Sequence, residues 1–255
     1  MDIREIREKL TAAGIENAAT EALWIKETIP EQELPRAVAR RAAHEPLAYI
    51  FGEWEFFREK YAVNENCLVP RADTELLVEK ACAFLPKGAR FLDLCTGSGC
   101  VAISTLATRR DTTAVALDLS RGALALARKN AETNGVAPRV EFVLSDVLRA
   151  PDAALVGKFD AVLANPPYIA HAVLATLQEE VQKEPRMALD GGADGLDFYR
   201  AILRKWKSVL RPDGFFLLEI GYDQARSVGR IAADAGLSCE VFADLGGNDR
   251  VVFLH

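Results

Sequence analysis

The stretch Phe91-Leu92-Asp93-Leu94-Cys95-Thr96-Gly97-Ser98-Gly99 decides the fold, because it joins an apolar strand to a glycine turn. Its first five residues predict a buried strand, and residues 101–107 predict the helix that follows the turn. Gly97 and Gly99 allow the backbone to approach a ligand closely and expose N–H groups at the start of that helix. The stretch therefore predicts a strand–turn–helix unit with a ligand at the turn.

Strand and helix patterns alternate from this unit to the end of the chain. Alternation of this kind is typical of a parallel, doubly wound α/β sheet. The last two strands flank Gly246-Gly247 and predict an antiparallel pair at one edge, so we expect a mostly parallel, seven-stranded sheet. Residues 211–214 predict a turn before the fifth parallel strand. The remaining predicted strands span 115–118, 140–144, 159–164, 215–220, 238–242 and 248–254, and the remaining predicted helices span 121–133, 196–210 and 223–235.

Acidic residues end the second and third strands. An acid in the position of Asp118 accepts hydrogen bonds from ribose hydroxyls, so with Gly97 it predicts a nucleoside cofactor. The glycine turn alone does not exclude NAD. Asp146, followed by Val147, is suited to hold the amino group of adenine, although an Asp in this position is also a common turn or helix-cap residue. Asp93 is expected to hold N–H groups of the turn or to contact the amino group of the cofactor.

The fourth strand leads directly into Asn165-Pro166-Pro167-Tyr168. The two prolines end the strand and prevent a helix, so Asn165 is predicted at the carboxyl end of a strand, where open α/β sheets bind ligands. Proline has no N–H group, which leaves the Asn165 and Pro166 carbonyls free to accept from a planar –NH2 group. The Tyr168 ring is predicted to stack on that group. A rigid turn without a ligand is the alternative interpretation.

The amino-terminal part of the chain has a different pattern. Residues 1–45 predict a small domain of three short helices separated at Gly14 and Pro30. Residues 46–72 are rich in aromatic side chains and predict a β-hairpin linker with strands at about 54–57 and 60–63. Residues 73–255 are predicted to form the main domain.

This part of the chain also predicts a helix start and a basic surface. A helix is predicted to begin after Pro70-Arg71 and to reach about residue 85, with Asp73 or Thr74 as its cap. The third amino-terminal helix contains several arginines, which predict a basic face exposed to solvent; these are Arg36, Arg40 and Arg41.

Composition narrows the class of protein. Half of the residues are hydrophobic, enough for a core, but no apolar run reaches the about 18–20 residues that span a bilayer. The charged amino end lacks a signal-peptide core, and the five cysteines contain no Cys-x-x-Cys pair, so we expect reduced thiols in a cytoplasmic protein. Three scattered histidines argue against a metal site. The net charge of −6 disfavours nucleic acid as a partner.

The motifs at 93–99, Asp118, Asp146 and 165–168 resemble, in the same order, those of the class I S-adenosylmethionine-dependent methyltransferases. Asn-Pro-Pro-Tyr is typical of the branch that methylates planar nitrogens. Other segments resemble the release factor glutamine methyltransferases, or PrmC/HemK family, so that the resemblance covers nearly the whole chain. The family often has glycine where this chain has Cys95. The segments are 46–52, 70–75, 184–192, 194–200 and 244–250.

The resemblance implies transfer of a methyl group to the side-chain amide nitrogen (N5) of the glutamine in the Gly-Gly-Gln motif of peptide chain release factors. It implies S-adenosyl-L-methionine as cofactor, S-adenosyl-L-homocysteine as product, and release factors as partners of a monomeric, non-membrane protein. Asn165, Pro166 and Tyr168 are the predicted catalytic residues, and Pro167 completes the predicted substrate-binding set. The predicted cofactor-binding residues are Cys95, Thr96, Gly97, Ser98, Gly99, Asp118, Asp146, Val147 and Asn165.

Other functions use some of the same motifs. A glutamine of a ribosomal protein, or the exocyclic amine of adenine in nucleic acid, presents an –NH2 group that fits the same two carbonyl oxygens. A nicotinamide-dependent oxidoreductase would use the glycine turn and Asp118, but the Asn-Pro-Pro-Tyr segment has no role in hydride transfer. A non-enzymatic binding module would require a filled cofactor site.

Overall fold

The central element of the fold is a seven-stranded sheet, present in a computed structural model that describes residues 1–255. The α-helices in chain order are α1 (Ile3–Ala12), α2 (Ala18–Thr28), α3 (Leu34–Ala42), α4 (Leu47–Phe51), α5 (Glu75–Phe84), α6 (Cys100–Thr108), α7 (Arg121–Thr133), α8 (Asp197–Ala201) and α9 (Ala225–Asp234). The strands are β1 (Glu53–Phe56), β2 (Glu59–Ala62), β3 (Arg90–Leu94), β4 (Thr113–Asp118), β5 (Val140–Leu144), β6 (Phe159–Ala164), β7 (Leu210–Glu219), β8 (Cys239–Ala243) and β9 (Asp249–Leu254).

The sheet has the strand order β5-β4-β3-β6-β7-β9-β8, and β9 alone runs in the direction opposite to the other six strands. Successive residues of β3 face opposite sides: Phe91 belongs to one hydrophobic core, and Leu92 and Leu94 to the other. Apolar side chains on both faces are expected where helices cover both sides of a parallel sheet. The predicted doubly wound, mostly parallel fold is confirmed. No helix is both long and apolar enough to cross a bilayer.

Two predicted boundaries around β7 are wrong. The turn at 211–214 lies inside the strand, whose pairing with β6 jumps from Phe159 opposite Leu210 to Ala161 opposite Phe215. Residues 211–214 therefore bulge out of a ladder that continues on either side, which accommodates Pro212. The predicted helix 196–210 is broken into α8, a π-helical turn and a 3₁₀ turn. The π turn ends at the buried Trp206, whose indole N–H donates to the Val147 carbonyl at 2.9 Å.

The amino-terminal region contains the three predicted helices α1, α2 and α3, and they share a separate hydrophobic core. The helix α4 was not predicted; its Leu47 and Ile50 contribute to this core. The antiparallel hairpin of β1 and β2 is present, with both strands one residue earlier than predicted.

The prediction that Arg41 lies on a solvent-exposed basic face is wrong. Its side chain is buried, and its guanidinium pairs with Glu21 at 2.6 Å and with Glu180 at 2.6 Å. Glu180 belongs to the segment after β6, so this ion pair joins the amino-terminal helices to that segment. A buried guanidinium requires such partners, because burial of an unpaired charge is costly.

The predicted caps of α5 are also wrong. Thr74 precedes α5, but its side chain makes no capping hydrogen bond. It accepts instead from the side chain of Asn165. Asp73 forms an ion pair with Arg250 at 3.1 Å. Both side chains are therefore directed toward other elements rather than toward the first turn of α5.

Candidate active site

A cavity of about 310 Å³ lies at the carboxyl ends of the central strands. Parallel strands end on one edge of the sheet, so residues distant in sequence meet there. The cavity is lined by residues that end or follow four neighbouring strands, namely Asp93, Cys95, Asp118, Ser145, Asp146 and Asn165. Residues 66–71, which precede α5, and residues around Met187 complete the walls.

The glycine turn forms one wall through Cys95, Thr96, Gly97 and Ser98. Cys95 has φ 59°, a left-handed conformation that favours glycine. Cysteine therefore occupies a backbone conformation that suits the glycine often found there in the resembled family. The turn is held by the Gly97 N–H, which donates to the Asp118 carboxylate at 2.8 Å.

Gly99 does not line the cavity, although it belongs to the predicted cofactor-binding turn. It has φ 85°, and a Cβ there would lie 2.8 Å from Ile103 Cδ1 and 3.2 Å from Ala127 Cβ. Glycine is favoured at this position by the positive φ, by the Ile103 side chain of α6 and by Ala127 of α7. Its effect on the site is therefore through the position of α6.

Asp93 is buried, with 1% of its surface exposed, beneath the turn. Burial raises the pKa of its carboxyl to about 7, partly offset by hydrogen bonds from the Thr96 hydroxyl and the Ala102 N–H. The Thr96 hydroxyl donates to it at 2.5 Å. Asp93 therefore holds both the turn and the start of α6. Of the two roles expected from the sequence, this contact with the backbone is the one the structure describes.

Asp118 and Asp146 both reach the cavity, and both also hold backbone. The oxygens of Asp118 accept from the N–H groups of Gly97 and Ser120, each at 2.8 Å. Each oxygen keeps a further lone pair for an external hydroxyl. Asp146 accepts from the Leu148 N–H at 2.9 Å, so the turn role of this residue is present together with its place in the cavity wall. Val147, buried beside it, also lines the cavity.

Asn165 follows β6 and lines the cavity. Its Nδ2 donates to the Thr74 hydroxyl at 3.0 Å, which directs its Oδ1 away from Thr74. Neither this Oδ1 nor the Pro166 carbonyl accepts a hydrogen bond from the chain. Pro167 lines the cavity, whereas the buried Pro166 does not. The segment therefore offers two oxygen acceptors without partners.

Tyr168 is placed differently from the predicted stacking position. It does not line the cavity, and its ring packs against the hydrophobic core on the α8 and α9 side of the sheet. Its hydroxyl donates to Glu219 Oε1 at 3.3 Å. Burial raises the pKa of the Tyr168 hydroxyl. The ring supports the turn from below rather than forming a plate for a ligand.

Two further residues at the site are Glu219, which was missed from the sequence, and Arg71, for which the sequence left open a structural role or a position over a ligand beside the linker. Arg71 is the only lysine or arginine among the lining residues, and it pairs with Glu184, which also accepts from the Val69 N–H at 2.8 Å. Glu219 ends β7 and is buried beside the Asn165 segment. A charged residue directly after the apolar run Phe215–Leu218 was the signal available for Glu219; only the fold brings Arg71 to the site.

Comparison with known proteins agrees with this geometry. The family model described as "Methyltransferase small domain" matches residues 72–195. A release factor glutamine methyltransferase of Cereibacter sphaeroides is 42% identical over 96% of this chain and 93% of its own length. Another, from Nitratidesulfovibrio vulgaris, is 44% identical over 85% of this chain and 74% of its own length.

A solved methyltransferase from Pyrococcus furiosus shares the fold. It is 18% identical, with a TM-score of 0.57, and the match covers 76% of this chain and 86% of that one. This likeness concerns the sheet and its helices alone. The two relatives named above match 96% and 85% of this chain. This chain therefore belongs to the family of release factor glutamine methyltransferases.

Proposed function

We propose that this protein transfers a methyl group from S-adenosyl-L-methionine to the side-chain amide nitrogen of the glutamine in the Gly-Gly-Gln motif of peptide chain release factors. The main observation behind the proposal is the hydrogen bonding of the Asn165 side chain at the cavity wall. Its Nδ2 is held by Thr74, and its Oδ1 has no partner in the chain. The relatives named as release factor glutamine methyltransferases support the choice of substrate.

The residues of the cavity fit this cofactor by their chemistry. Asp118 retains lone pairs for ribose hydroxyls, and Asp146 beside Val147 offers a carboxylate and an apolar wall for adenine. Arg71, the one cationic lining residue, suits the carboxylate of the methionine part. When bound, S-adenosylmethionine supplies an electrophilic methyl group on a sulfonium, so the protein need only place the acceptor nitrogen.

Asn165 Oδ1 is suited to that task at the cavity wall, and we propose that the Pro166 carbonyl, which also lacks a partner although Pro166 does not line the cavity, assists it. An amide –NH2 group has two protons, and these two oxygens accept one each. Binding both protons orients the nitrogen and stabilises the positive charge that develops on it during methylation. The nitrogen then releases one proton to solvent water, which leaves a neutral N-methyl amide. In this mechanism Asn165 and Pro166 are the catalytic residues, and Tyr168 supports their turn.

The amino-terminal helices are proposed to help dock the release factor. Their surface includes apolar side chains that the local core does not cover, since Leu23 is 44% and Trp24 is 47% exposed on α2. Adjacent exposed apolar residues are a common feature of protein interaction sites. In this proposal residues 1–45 form a docking domain, 46–72 a linker, and 73–255 the methyltransferase domain.

Incubation with S-adenosylmethionine and a purified release factor tests the function. Mass spectrometry of the tryptic peptides is expected to show one added CH₂, located on the glutamine of Gly-Gly-Gln. A release factor with Asn in place of that glutamine is the matched control and is expected to remain unmodified. Parallel reactions contain ribosomal protein and nucleic acid. Methylation of either of these, with none of the release factor, would contradict the proposed substrate.

A further inference from the structure

Glu219 is a buried carboxylate for which the mechanism above has no use. It is 1% exposed and ends β7. The register pairs Ala164 of β6 with Leu218 of β7, so Glu219 and Asn165 follow neighbouring positions at one edge of the sheet. Its Oε1 accepts from Tyr168 at 3.3 Å, but its Oε2 has no hydrogen-bond partner. A buried acceptor without a partner is rare and costly, which indicates a role beyond packing.

Thr74 connects this carboxylate to Asn165. The Thr74 side chain is 1% exposed, and its oxygen accepts from Asn165 Nδ2 at 3.0 Å. A hydroxyl that accepts one hydrogen bond still has its own hydrogen to donate. The carboxyl of Glu219 is near enough for the Thr74 hydroxyl to lower its pKa against the larger, opposite effect of burial. Asn165 is thus hydrogen-bonded to Thr74, and Thr74 lies beside the buried Glu219 carboxyl, whose Oε2 is still without a partner.

We propose that Glu219 is a positioning residue that determines which end of the Asn165 carboxamide faces the substrate. An ionised carboxylate only accepts, so it attracts the Thr74 hydrogen and leaves the Thr74 oxygen to accept from Asn165. Asn165 must then present Nδ2 to Thr74 and Oδ1 to the cavity. This inference rests on the proposed function, in which Oδ1 accepts a proton of the substrate amide.

If the hydrogen bonds among Asn165, Thr74 and Glu219 ran in the opposite direction, the site would be inactive. If Thr74 donated to Asn165 Oδ1, the carboxamide would turn over and present its Nδ2 hydrogens to the cavity. Two –NH2 groups would then face each other, with no acceptor for the substrate amide. The two orientations have nearly the same shape, so packing discriminates weakly between them. A group of fixed hydrogen-bonding polarity behind Thr74 is what separates them.

The proposal predicts a dependence on pH. Burial raises the pKa of Glu219 to about 7, with Thr74, Arg250 and Tyr168 lowering it and Asp73 raising it. Below that pH the protonated carboxyl can donate to Thr74. The hydrogen bonds from Asn165 to Thr74 and from Thr74 to Glu219 then no longer have one fixed direction. Turnover is therefore expected to fall as pH decreases through about 7. The titratable or charged groups that face Glu219 are Arg250 of β9, Asp73 before α5, Tyr168 after β6, Tyr199 of α8 and Cys100 of α6.

The first experiment compares Glu219→Gln with the wild type. Glutamine keeps the volume but can donate to Thr74, so we expect kcat on release factor to fall about 10- to 100-fold at pH 8. The KM for release factor is expected to stay within about twofold, since the surface is unchanged. The acidic limb of the kcat profile is expected to disappear. Glu240→Gln makes the same chemical change on exposed β8 and is the matched control.

Substitutions of Thr74 test the connection itself. Thr74→Val removes the hydroxyl at nearly constant volume, and its loss of kcat is expected to resemble that of Glu219→Gln. The double variant is expected to lose no more than either single one, because both interrupt one connection. Thr74→Ser restores the hydroxyl and is expected to recover most of the kcat that Thr74→Val loses. Additive losses, or failure of Thr74→Ser to recover kcat, would contradict the connection.

A measurement independent of turnover separates this inference from the proposed function. In protein labelled with [¹⁵N]asparagine, the Asn165 –NH2 signals are identified by their absence from Asn165→Ala. They are expected to shift with a midpoint near pH 7 in the wild type and to lose this titration in Glu219→Gln. If the wild type methylates no release factor, the proposed function fails while this titration still supports the connection from Glu219 through Thr74 to Asn165. Wild-type signals that do not titrate, or that titrate equally in Glu219→Gln, would overturn the inference.

Discussion

Asn165 combines a fixed end and a free end in one side chain. Thr74 holds Nδ2 at 3.0 Å, while Oδ1 has no partner in the chain. The hydrogen bond to Thr74 fixes the position of the carboxamide, and Oδ1 is the atom that we propose to contact the substrate. A side chain oriented in advance avoids the cost of ordering it during the reaction. Substitution at this residue should therefore affect the transition state more than the fold.

Asn165→Ala is expected to lower kcat by about 10²–10³, because it removes one preorganised hydrogen-bond acceptor. The measurement is turnover of release factor at saturating cofactor, together with a thermal melt to show that the variant is folded. Near-normal turnover by the folded variant would rule out the proposed role of this side chain.

The buried carboxyl of Asp93 is expected to make the stability of the fold depend on pH. Burial is the largest influence on its carboxyl and raises its pKa to about 7, whereas an unfolded Asp titrates near 4. Between these values the folded state binds a proton that the unfolded state has lost, so stability falls as pH rises through this window. The Asp93 contribution is at most roughly 4 kcal/mol, at 1.36 kcal/mol for each unit of pKa. Asp93→Asn should flatten the fall in urea midpoint between about pH 4 and 7; an unchanged pH profile would contradict the assignment.

The elements of the site are positioned by close contacts between helices as well as by the sheet. A Cβ on Gly99 would overlap the Ile103 side chain of α6 itself and crowd Ala127 of α7. The turn that precedes α6 forms a wall of the cavity. A residue outside the cavity can therefore change the site by moving an element.

Gly99→Ala is expected to lower the free energy of unfolding by about 1–3 kcal/mol, because of its positive φ and the crowded Cβ. It is also expected to weaken cofactor binding, since α6 must shift. Urea unfolding and calorimetric titration with S-adenosylmethionine measure the two effects. Gly157→Ala, at a positive φ with no atom within 4 Å of the added Cβ, separates backbone strain from crowding. Equal losses in both variants would refute the packing explanation.

At the scale of the whole molecule, the segment after β6 is tied to two distant parts of the chain. Glu180 pairs with Arg41 of the amino-terminal region, and Glu184 pairs with Arg71 beside the cavity. His44 also lies 3.3 Å from Glu179. Through these contacts the helical region, the cavity mouth and the segment that follows Asn165-Pro166-Pro167-Tyr168 form one connected structure.

Arg41→Met is expected to destabilise the protein by about 3–5 kcal/mol, because Glu21 would remain buried without its partner. The double variant Glu21→Gln with Arg41→Met is expected to recover part of this loss, since no buried charge remains. Chemical denaturation measures both variants. A loss under about 1 kcal/mol for the single variant would show that the pair does not hold the region together.

The proposed docking of release factor also belongs to this scale. Replacement of both Leu23 and Trp24 by Ala is expected to raise the KM for release factor about tenfold, with cofactor affinity unchanged. Both side chains are largely exposed on α2, so stability should change little. Exposed Val241 on β8 provides a control, as Val241→Ala. An unchanged KM would place the docking surface elsewhere on the molecule.

Sequence alone was enough to predict the order of strands and helices, because strands 140–144 and 159–164 and helix 121–133 carry clear hydrophobic periodicity. It also placed Asp118, Asp146 and Asn165 at strand ends, since parallel strands share one edge. Local signals failed where a partner came from far along the chain. Arg36, Arg40 and Arg41 looked alike, and only the fold buries Arg41 between Glu21 and Glu180.

The tertiary structure alone decided the second layer of the site. Thr74 precedes a helix and was predicted to cap it, yet it holds Asn165, which lies in a different part of the chain. Tyr168 turns into the core and meets Glu219, and Arg71 reaches the cavity from the linker. These contacts depend on side-chain direction and on burial between elements, which no local pattern specifies. The sequence thus determined which edge of the sheet carries the candidate site, and three-dimensional packing determined how the side chains of that site are held.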